Sequence, residues 1–145
     1  MKAPPIRLLE QHYDGISVKA VQGHRPGEGP GWKLQTTISL RQNPDQDRIW
    51  AVLLEITLGQ EEDRPAIPYE IAAHATGTFE VHPGVPAEEM AKLIAINGTS
   101  ILYSGLRDFI ATITARGPWG PFLLPTVSFA DIEPESEAAN QGETP

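Results

Sequence analysis

The chain alternates apolar and polar residues in four successive stretches before residue 82. A period of two is typical of a β-strand with one face buried, so the pattern predicts four strands. The stretches are residues 6–21, 33–41, 48–59 and 69–81. The third is apolar on both sides in part, which predicts a central strand covered on both faces for part of its length. In the first, Asp14 followed by Gly15 predicts a β-bulge, because a glycine inside a strand often marks one.

Helical patterns follow the strands. Residues 82–98 predict a first helix that stops at Asn97-Gly98, and residues 100–116 predict a second that ends at Gly117. The buried stripe of the second helix is predicted from the apolar residues at helical spacing, Leu102, Leu106, Phe109, Ile110 and Ile113. Four consecutive strands followed by helices predict an α+β fold, a four-stranded antiparallel sheet with helices on one face.

One segment, ARGPWGPFLLPTVSF at residues 115–129, is rich in both apolar residues and proline. Its prolines donate no backbone hydrogen bonds, and its large apolar side chains must be covered by the core, by another subunit or by a ligand. Trp119 lies in this segment, and Trp32 closes a Gly/Pro-rich loop at residues 22–32. Rigid aromatic residues on irregular segments suit an interface or an apolar groove. Trp50, on the third strand, is predicted to lie in the core.

The composition is that of a globular chain, with 145 residues, of which 40% are hydrophobic and 7% aromatic. The net charge of −8 is concentrated at the C-terminus, where residues 130–145 hold five acids and no Lys or Arg. We therefore predict a folded domain over residues 1–131 and an acidic, disordered tail over residues 132–145. No basic face remains for a phosphate backbone, so nucleic acid is not expected as a partner.

The residue types for most kinds of active site are missing or scattered. There is no cysteine, which excludes disulfides and thiolate chemistry. The sequence shows no signal-peptide pattern and no apolar run that would span a membrane, so a cytoplasmic protein without membrane insertion is expected. His74 and His82 are eight residues apart, and no carboxylate stands at metal-ligand spacing from either, so the four histidines, His12, His24, His74 and His82, are expected to be ordinary surface or edge residues. We predict no catalytic residue, no metal and no cofactor, and therefore a protein that is not an enzyme.

The segment from Leu93 to Phe129 contains two motifs. The first, I-L-[FY]-x-x-x-R-[ED], opens the long helix and is matched by Ile101, Leu102, Tyr103, Arg107 and Asp108. The second, R-G-x-[FW]-x-x-[LF]-x-L-x-x-V-[NS]-F, follows the end of the helix and is matched by Arg116, Gly117, Trp119, Phe122, Leu124, Val127 and Phe129. With these motifs the segment resembles the SecB family of bacterial preprotein-export chaperones, and looser similarity upstream extends the resemblance over residues 6–131.

The resemblance implies a homotetramer, assembled as a dimer of dimers from four-stranded sheets with helices on one face. It implies an ATP-independent holdase that carries unfolded preproteins in apolar grooves to the translocase motor SecA. Under this resemblance the first strand and the helices are expected to form the subunit interfaces. The residues expected to line the polypeptide-binding groove are Trp32, Trp119, Phe122 and Leu124.

The sequence also departs from the family pattern. Gly15, Lys19 and Ala72 stand where the export chaperones carry acidic residues that contact SecA, and the acidic tail replaces a further C-terminal helix. Some family members serve instead as chaperones of an antitoxin, so a chaperone dedicated to one such partner is the first alternative function. A small-ligand-binding α+β domain, with the apolar segment wholly internal, is the second.

Overall fold

A computed structural model describes residues 4–24, 32–60 and 67–130. The strands are β1 (Ile6–Ala20), β2 (Trp32–Gln42), β3 (Ile49–Gln60) and β4 (Tyr69–Val81). They form one antiparallel sheet in the spatial order β1-β4-β3-β2, so β4 and β3 are central and β1 and β2 are the edges. Helical structure on one side completes an α+β fold, which confirms the fold class predicted from the sequence.

The core lies between the sheet and the helices. Alternate residues of β3 and β4 are buried on this side, and they pair across the two strands, as in Trp50 with Phe79 and Leu54 with Ala75. Burying a large apolar side chain of this kind contributes roughly 1.5–3 kcal/mol, so this alternation holds the sheet in register. Trp50 is 7% exposed, as predicted for a core residue.

The opposite side of the sheet, called the open face below, is not covered by any described part of the chain. Leu53 projects from β3 on this side and is 42% exposed. The central position predicted for the third strand is confirmed, but the prediction that both of its faces are covered was wrong for the single chain. The apolar run in the sequence could not show that the helical layer covers only one of these faces.

The predicted bulge in β1 is present, because the pairing with β4 shifts register between Tyr13 and Gly15. The bulged residue, Asp14, accepts a hydrogen bond of 2.5 Å from the hydroxyl of Thr76 and lies 3.0 Å from the ring of His12. The hydrogen bond from Thr76 is the main cause that lowers the pKa of the Asp14 carboxyl, and the proximity of His12 adds to it. A second register shift lies between Leu8 and Glu10.

The helical layer runs without a break. A 3₁₀ turn (Ala87–Glu89) leads into α1 (Met90–Leu93), a π-helical turn (Ile94–Gly98) and α2 (Thr99–Thr114). Gly98 has helical dihedrals, φ −64° and ψ −43°, so the predicted helix stop at Asn97-Gly98 was wrong. A Cβ on Gly98 would lie 3.3 Å from side-chain atoms of both Phe79 and Val52. The missing side chain of Gly98 therefore allows the helix to pack close to the sheet.

Helix α2 packs over β1, β4 and β3. Leu102, Leu106 and Ile110 of the predicted stripe are fully buried, and Ile113 is partly buried. Phe109 is 38% exposed, so its predicted burial was wrong. Its ring instead stacks on Tyr13 of β1 with the ring centroids 5.2 Å apart, because it lies on the flank of α2 that faces the edge strand.

Candidate functional site

The chain leaves α2 through a turn and then runs back along the helix as an extended segment, residues 118–130, called the crossover below. Among the described residues, positions 121–130 form no backbone–backbone hydrogen bond. Side chains of α2 hold the segment instead. Thr114 accepts a hydrogen bond of 2.8 Å from the N–H of Phe122. Farther along, Arg107 donates to the carbonyl of Leu124 at 2.7 Å.

Tyr103 makes the third of these contacts, donating to the carbonyl of Pro125 at 2.6 Å. Burial raises the pKa of the Tyr103 phenol to about 12, an effect that the nearby Arg107 opposes. The phenol is therefore neutral and able to donate at any physiological pH. Its ring also packs edge-on against Phe129, with the ring centroids 5.6 Å apart. The far end of the crossover is thus held by both polar and aromatic contacts.

The start of the crossover, together with the turn that leads into it, is organised by the buried side chain of Tyr69 on β4. The Tyr69 hydroxyl accepts from the N–H of Trp119 at 3.0 Å and lies 2.9 Å from the carbonyl of Gly120, to which it donates. Gly117 lies so close to this ring that a Cβ there would be 2.5 Å from the hydroxyl oxygen. Gly120 has φ +80°, a conformation that favours glycine. These contacts set the direction in which the crossover leaves the helix.

The four residues expected to line a groove have different environments. Trp119 is 42% exposed; its indole N–H donates to the carbonyl of Val21 at 3.2 Å, and its ring meets His24 edge-on. Phe122 is half-buried, whereas Leu124 is fully buried and forms part of the core beneath the crossover. Leu124 therefore does not line an open surface in this structure. Trp32 begins β2, and its side chain lies outside the described part of the structure.

The side of β2 that faces the helical layer adds apolar surface that was not among the predicted groove residues. Leu34 and Ile38 are half-buried there, and Thr36 between them is exposed. They are only partly covered because β2 is an edge strand and α2 packs over the other three strands. The alternation in the sequence indicated this face of the strand. It could not indicate that the strand lies at the edge of the sheet.

The most exposed apolar residue of the crossover is Leu123, at 64%. Phe122 and Val127 on the same segment are half-buried against the core. The crossover and the helix-facing side of β2 are thus two incompletely covered apolar surfaces that pack against the same core. We call these two surfaces together the candidate groove. Its chemistry suits an apolar ligand.

A separate apolar patch lies on the other side of α2, next to β1. Its members are all about two-fifths exposed and are Leu8, Leu9, Ile101 and Phe109. This patch adjoins the outer edge of β1, which pairs only with β4 in the described chain. Exposed apolar residues beside an unpaired strand edge are typical of a surface that contacts another protein.

The positions at which acidic residues were expected lie together on the open face. In the register of the β1–β4 ladder, Lys19 lies opposite Glu70 and Ser17 lies opposite Ala72. Gly15 is two residues before Ser17 on the same strand. Shallow depressions on this face are lined in part by these residues. The surface therefore has mixed charge around Lys19 and Ala72 and no acidic cluster at these positions.

Two further observations concern the described residues only. No helix among them is long and apolar enough to span a bilayer. Nor do any three of their His, Asp or Glu side chains come together in a way that could hold a metal ion.

Two known proteins are similar to this chain in sequence over most of its length. An uncharacterised protein of Methanocaldococcus jannaschii is 24% identical over 147 residues, which cover 99% of this chain and 94% of that protein. The protein-export protein SecB of Saccharophagus degradans is 24% identical over 115 residues, which cover 79% of this chain and 64% of that protein.

Among solved structures, the fold is similar to that of the Mycobacterium tuberculosis SecB-like chaperone in complex with a ChAD peptide from the HigA1 antitoxin. The TM-score is 0.65 at 16% sequence identity, and the match covers 86% of this chain and 91% of that one. The family model described as preprotein translocase subunit SecB matches residues 2–139. The chain therefore belongs to the SecB family.

Proposed function

We propose that the protein is an ATP-independent holdase chaperone that binds unfolded polypeptides in the candidate groove. The observation that carries this proposal is the crossover, which keeps Leu123 and Trp119 exposed while side chains of α2 and β4 hold its backbone in place. A soluble protein rarely leaves such apolar surface uncovered unless something binds it. Membership of the SecB family supports the same function.

The fixed backbone of the crossover fits this role. Its prolines and its hydrogen bonds to Thr114, Arg107 and Tyr103 order the segment before any ligand arrives. Binding then costs less conformational entropy than it would on a flexible loop. Trp119, Phe122 and the start of β2 at Trp32 form the proposed contact surface, with Leu124 supporting it from the core. We propose a cytoplasmic, non-enzymatic protein that needs no cofactor.

The direct test is suppression of aggregation. A client such as reduced, unfolded α-lactalbumin is expected to stay soluble when the protein is present at stoichiometric amounts, without ATP, because exposed apolar client segments are covered. Light scattering over time measures the effect, with serum albumin at equal mass as the control. Unchanged client aggregation at every ratio would contradict the proposed function.

We further propose that the protein works as a homotetramer. The apolar patch formed by Leu8, Leu9, Ile101 and Phe109 and the unpaired edge of β1 support an interface between copies. Size exclusion with light-scattering detection is expected to give about four times the chain mass of 15.8 kDa. A strict monomer without affinity for a dye that binds exposed apolar surface would contradict the tetramer and favour a small-ligand-binding domain.

Two client roles fit this function: export of many preproteins, and protection of one dedicated partner such as an antitoxin. The export chaperones of this family are expected to contact SecA through acidic residues at these positions. The mixed charge around Lys19 and Ala72 does not provide such a surface, and it therefore favours the dedicated role. The similar M. tuberculosis chaperone was solved with an antitoxin peptide. Binding of purified SecA to the protein, with a dissociation constant unaffected by clients, would favour export instead.

A further inference from the structure

The outer edge of β2 is a second feature of this strand, distinct from its apolar side chains. β2 pairs with β3 along its eleven residues, Trp32–Gln42, and its other edge pairs with no described residue. The unpaired N–H and C=O groups of such an edge are ready to hydrogen-bond another strand. This edge also borders the helix-facing side of β2, where Leu34 and Ile38 are only half-buried.

The charges on β2 are of one sign. The strand contains two cations, Lys33 and Arg41, and no acidic residue. Both cations are exposed and lie on the open face, since their positions have the opposite parity to the helix-facing Leu34. Their neighbours across the ladder on β3 are Gly59 and Ala51, so neither of these directly paired residues supplies a counter-charge.

The two faces of β2 therefore favour different types of side chain on a strand that is added beside it. On the helix-facing side, apolar residues would extend the surface of Leu34 and Ile38. On the open face, acidic residues would lie opposite Lys33 and Arg41, where cross-strand pairs of opposite charge are favourable. These cations are eight positions apart, which is about 26 Å along a strand.

We propose that a client segment binds as a fifth strand on the outer edge of β2. Its alternate residues are apolar and enter the candidate groove, and acidic residues eight positions apart on its other face pair with Lys33 and Arg41. This mode rests on the proposed holdase function and adds a recognition rule to it. The main chain of the client supplies sequence-independent hydrogen bonds, as in other complexes in which a peptide extends a sheet.

A second copy of this chain fits the edge less well. A symmetric antiparallel pair of β2 strands centred on Thr37 would bring Lys33 of each copy opposite Arg41 of the other, and like charges directly opposite are destabilising. The cations could instead simply guard the edge against pairing with any strand. A guard would prevent either peptide, acidic or basic, from pairing as a strand, so measurable binding of the acidic peptide with a main-chain ladder separates the two explanations.

The first experiment tests the charge rule. Two fluorescein-labelled peptides of eleven residues alternate leucine and threonine, with glutamate at the second and tenth positions of one and lysine there in the other. Fluorescence anisotropy at low ionic strength is expected to show about tenfold tighter binding of the glutamate peptide, a ratio that falls as salt is added. In the double variant Lys33→Glu/Arg41→Glu, the preference is expected to reverse.

The matched control is Lys19→Glu, which reverses an exposed charge on the open face of the opposite edge strand. It is expected to keep the preference for the glutamate peptide. Equal binding of both peptides, or the same loss of preference in Lys19→Glu, would overturn the charge rule, because the selectivity would then come from net charge alone.

The second experiment tests the main-chain ladder. N-methylation of a residue whose N–H faces β2 is expected to weaken the glutamate peptide about tenfold, whereas N-methylation of the next residue has little effect. Equal effects at adjacent residues would overturn binding as a strand. If unfolded α-lactalbumin is still protected from aggregation in that case, only this inference fails. If the client is not protected either, the proposed function fails with it.

Discussion

Replacing Gly117 by alanine is expected to destabilise the protein by about 2–4 kcal/mol, the range typical of overpacking a buried contact or breaking a buried hydrogen-bond network. A Cβ at this position would lie 2.5 Å from the hydroxyl oxygen of Tyr69 and 2.8 Å from a ring carbon. Tyr69 is only 2% exposed, so its ring has no space into which to move. The hydroxyl would have to leave its partners at Trp119 and Gly120, which hold the start of the crossover.

Urea denaturation of Gly117→Ala, with the aggregation assay in parallel, measures both consequences. We expect client protection to fall together with stability, because the crossover loses its support. Gly59→Ala is the matched control, since a Cβ there meets nothing within 4 Å and the change is expected to cost little. In the double variant with Tyr69→Phe, the loss is expected to be smaller than the sum of the single losses, because both changes disrupt one contact.

A Gly117→Ala protein as stable as the Gly59→Ala protein would show that the crossover can shift without cost. That result would remove the argument that its exposed apolar residues are held in place.

Replacing Trp119 by alanine is expected to weaken client binding at least about tenfold while lowering the free energy of unfolding by only about 1 kcal/mol. Tryptophan residues at the centre of an interface are frequent binding hot spots, worth about 2 kcal/mol or more. In the free protein, the side chain is 42% exposed and donates one hydrogen bond of 3.2 Å, to Val21. A single net hydrogen bond of this kind contributes about 1 kcal/mol to stability.

Leu53→Ala is a matched control for Trp119→Ala, because Leu53 is also 42% exposed but lies on the open face. It is expected to leave client binding unchanged. The dissociation constant for an unfolded client and the urea midpoint are measured for both variants. Equal losses of binding and stability in Trp119→Ala would identify Trp119 as a core residue, and equal binding losses in both variants would show that the client has no defined groove.

The crossover links the helix, the sheet and the proposed function. Backbone hydrogen bonds usually hold an extended segment, but here three prolines interrupt it and side chains of α2 take over. This arrangement explains the R-G-x-[FW] part of the motif. Gly117 permits the contact with Tyr69, and Tyr69 in turn holds the main chain of Trp119 in place.

Local patterns accounted for the elements themselves. The period of two predicted β4 with the bounds Tyr69–Val81 that the structure shows, and Asp14-Gly15 predicted the bulge in β1. Such features depend on neighbouring residues of the chain, whose side chains alternate between faces whatever the rest of the fold does. The apolar run in β3 likewise indicated a central strand, although one of its faces is open in the single chain.

Glycine was the main source of error in the helical region. Asn97-Gly98 is a common helix ending, yet the helix continues because Gly98 lets it approach Phe79 and Val52. The burial predicted for Phe109 failed for a related reason, since helical spacing shows which residues share a stripe but not which edge of the sheet that stripe meets.

The sequence by itself determined four strands, a long helix, a proline-rich apolar segment after it and membership of a family of chaperones. Only the tertiary structure decided that β2 lies at an edge, that Leu124 is core while Trp119 stays exposed, and that side chains of α2 and β4 hold the crossover. The physical reason is that strand order, burial and close approach depend on contacts between residues far apart in the chain. No local pattern of apolar and polar positions records those contacts.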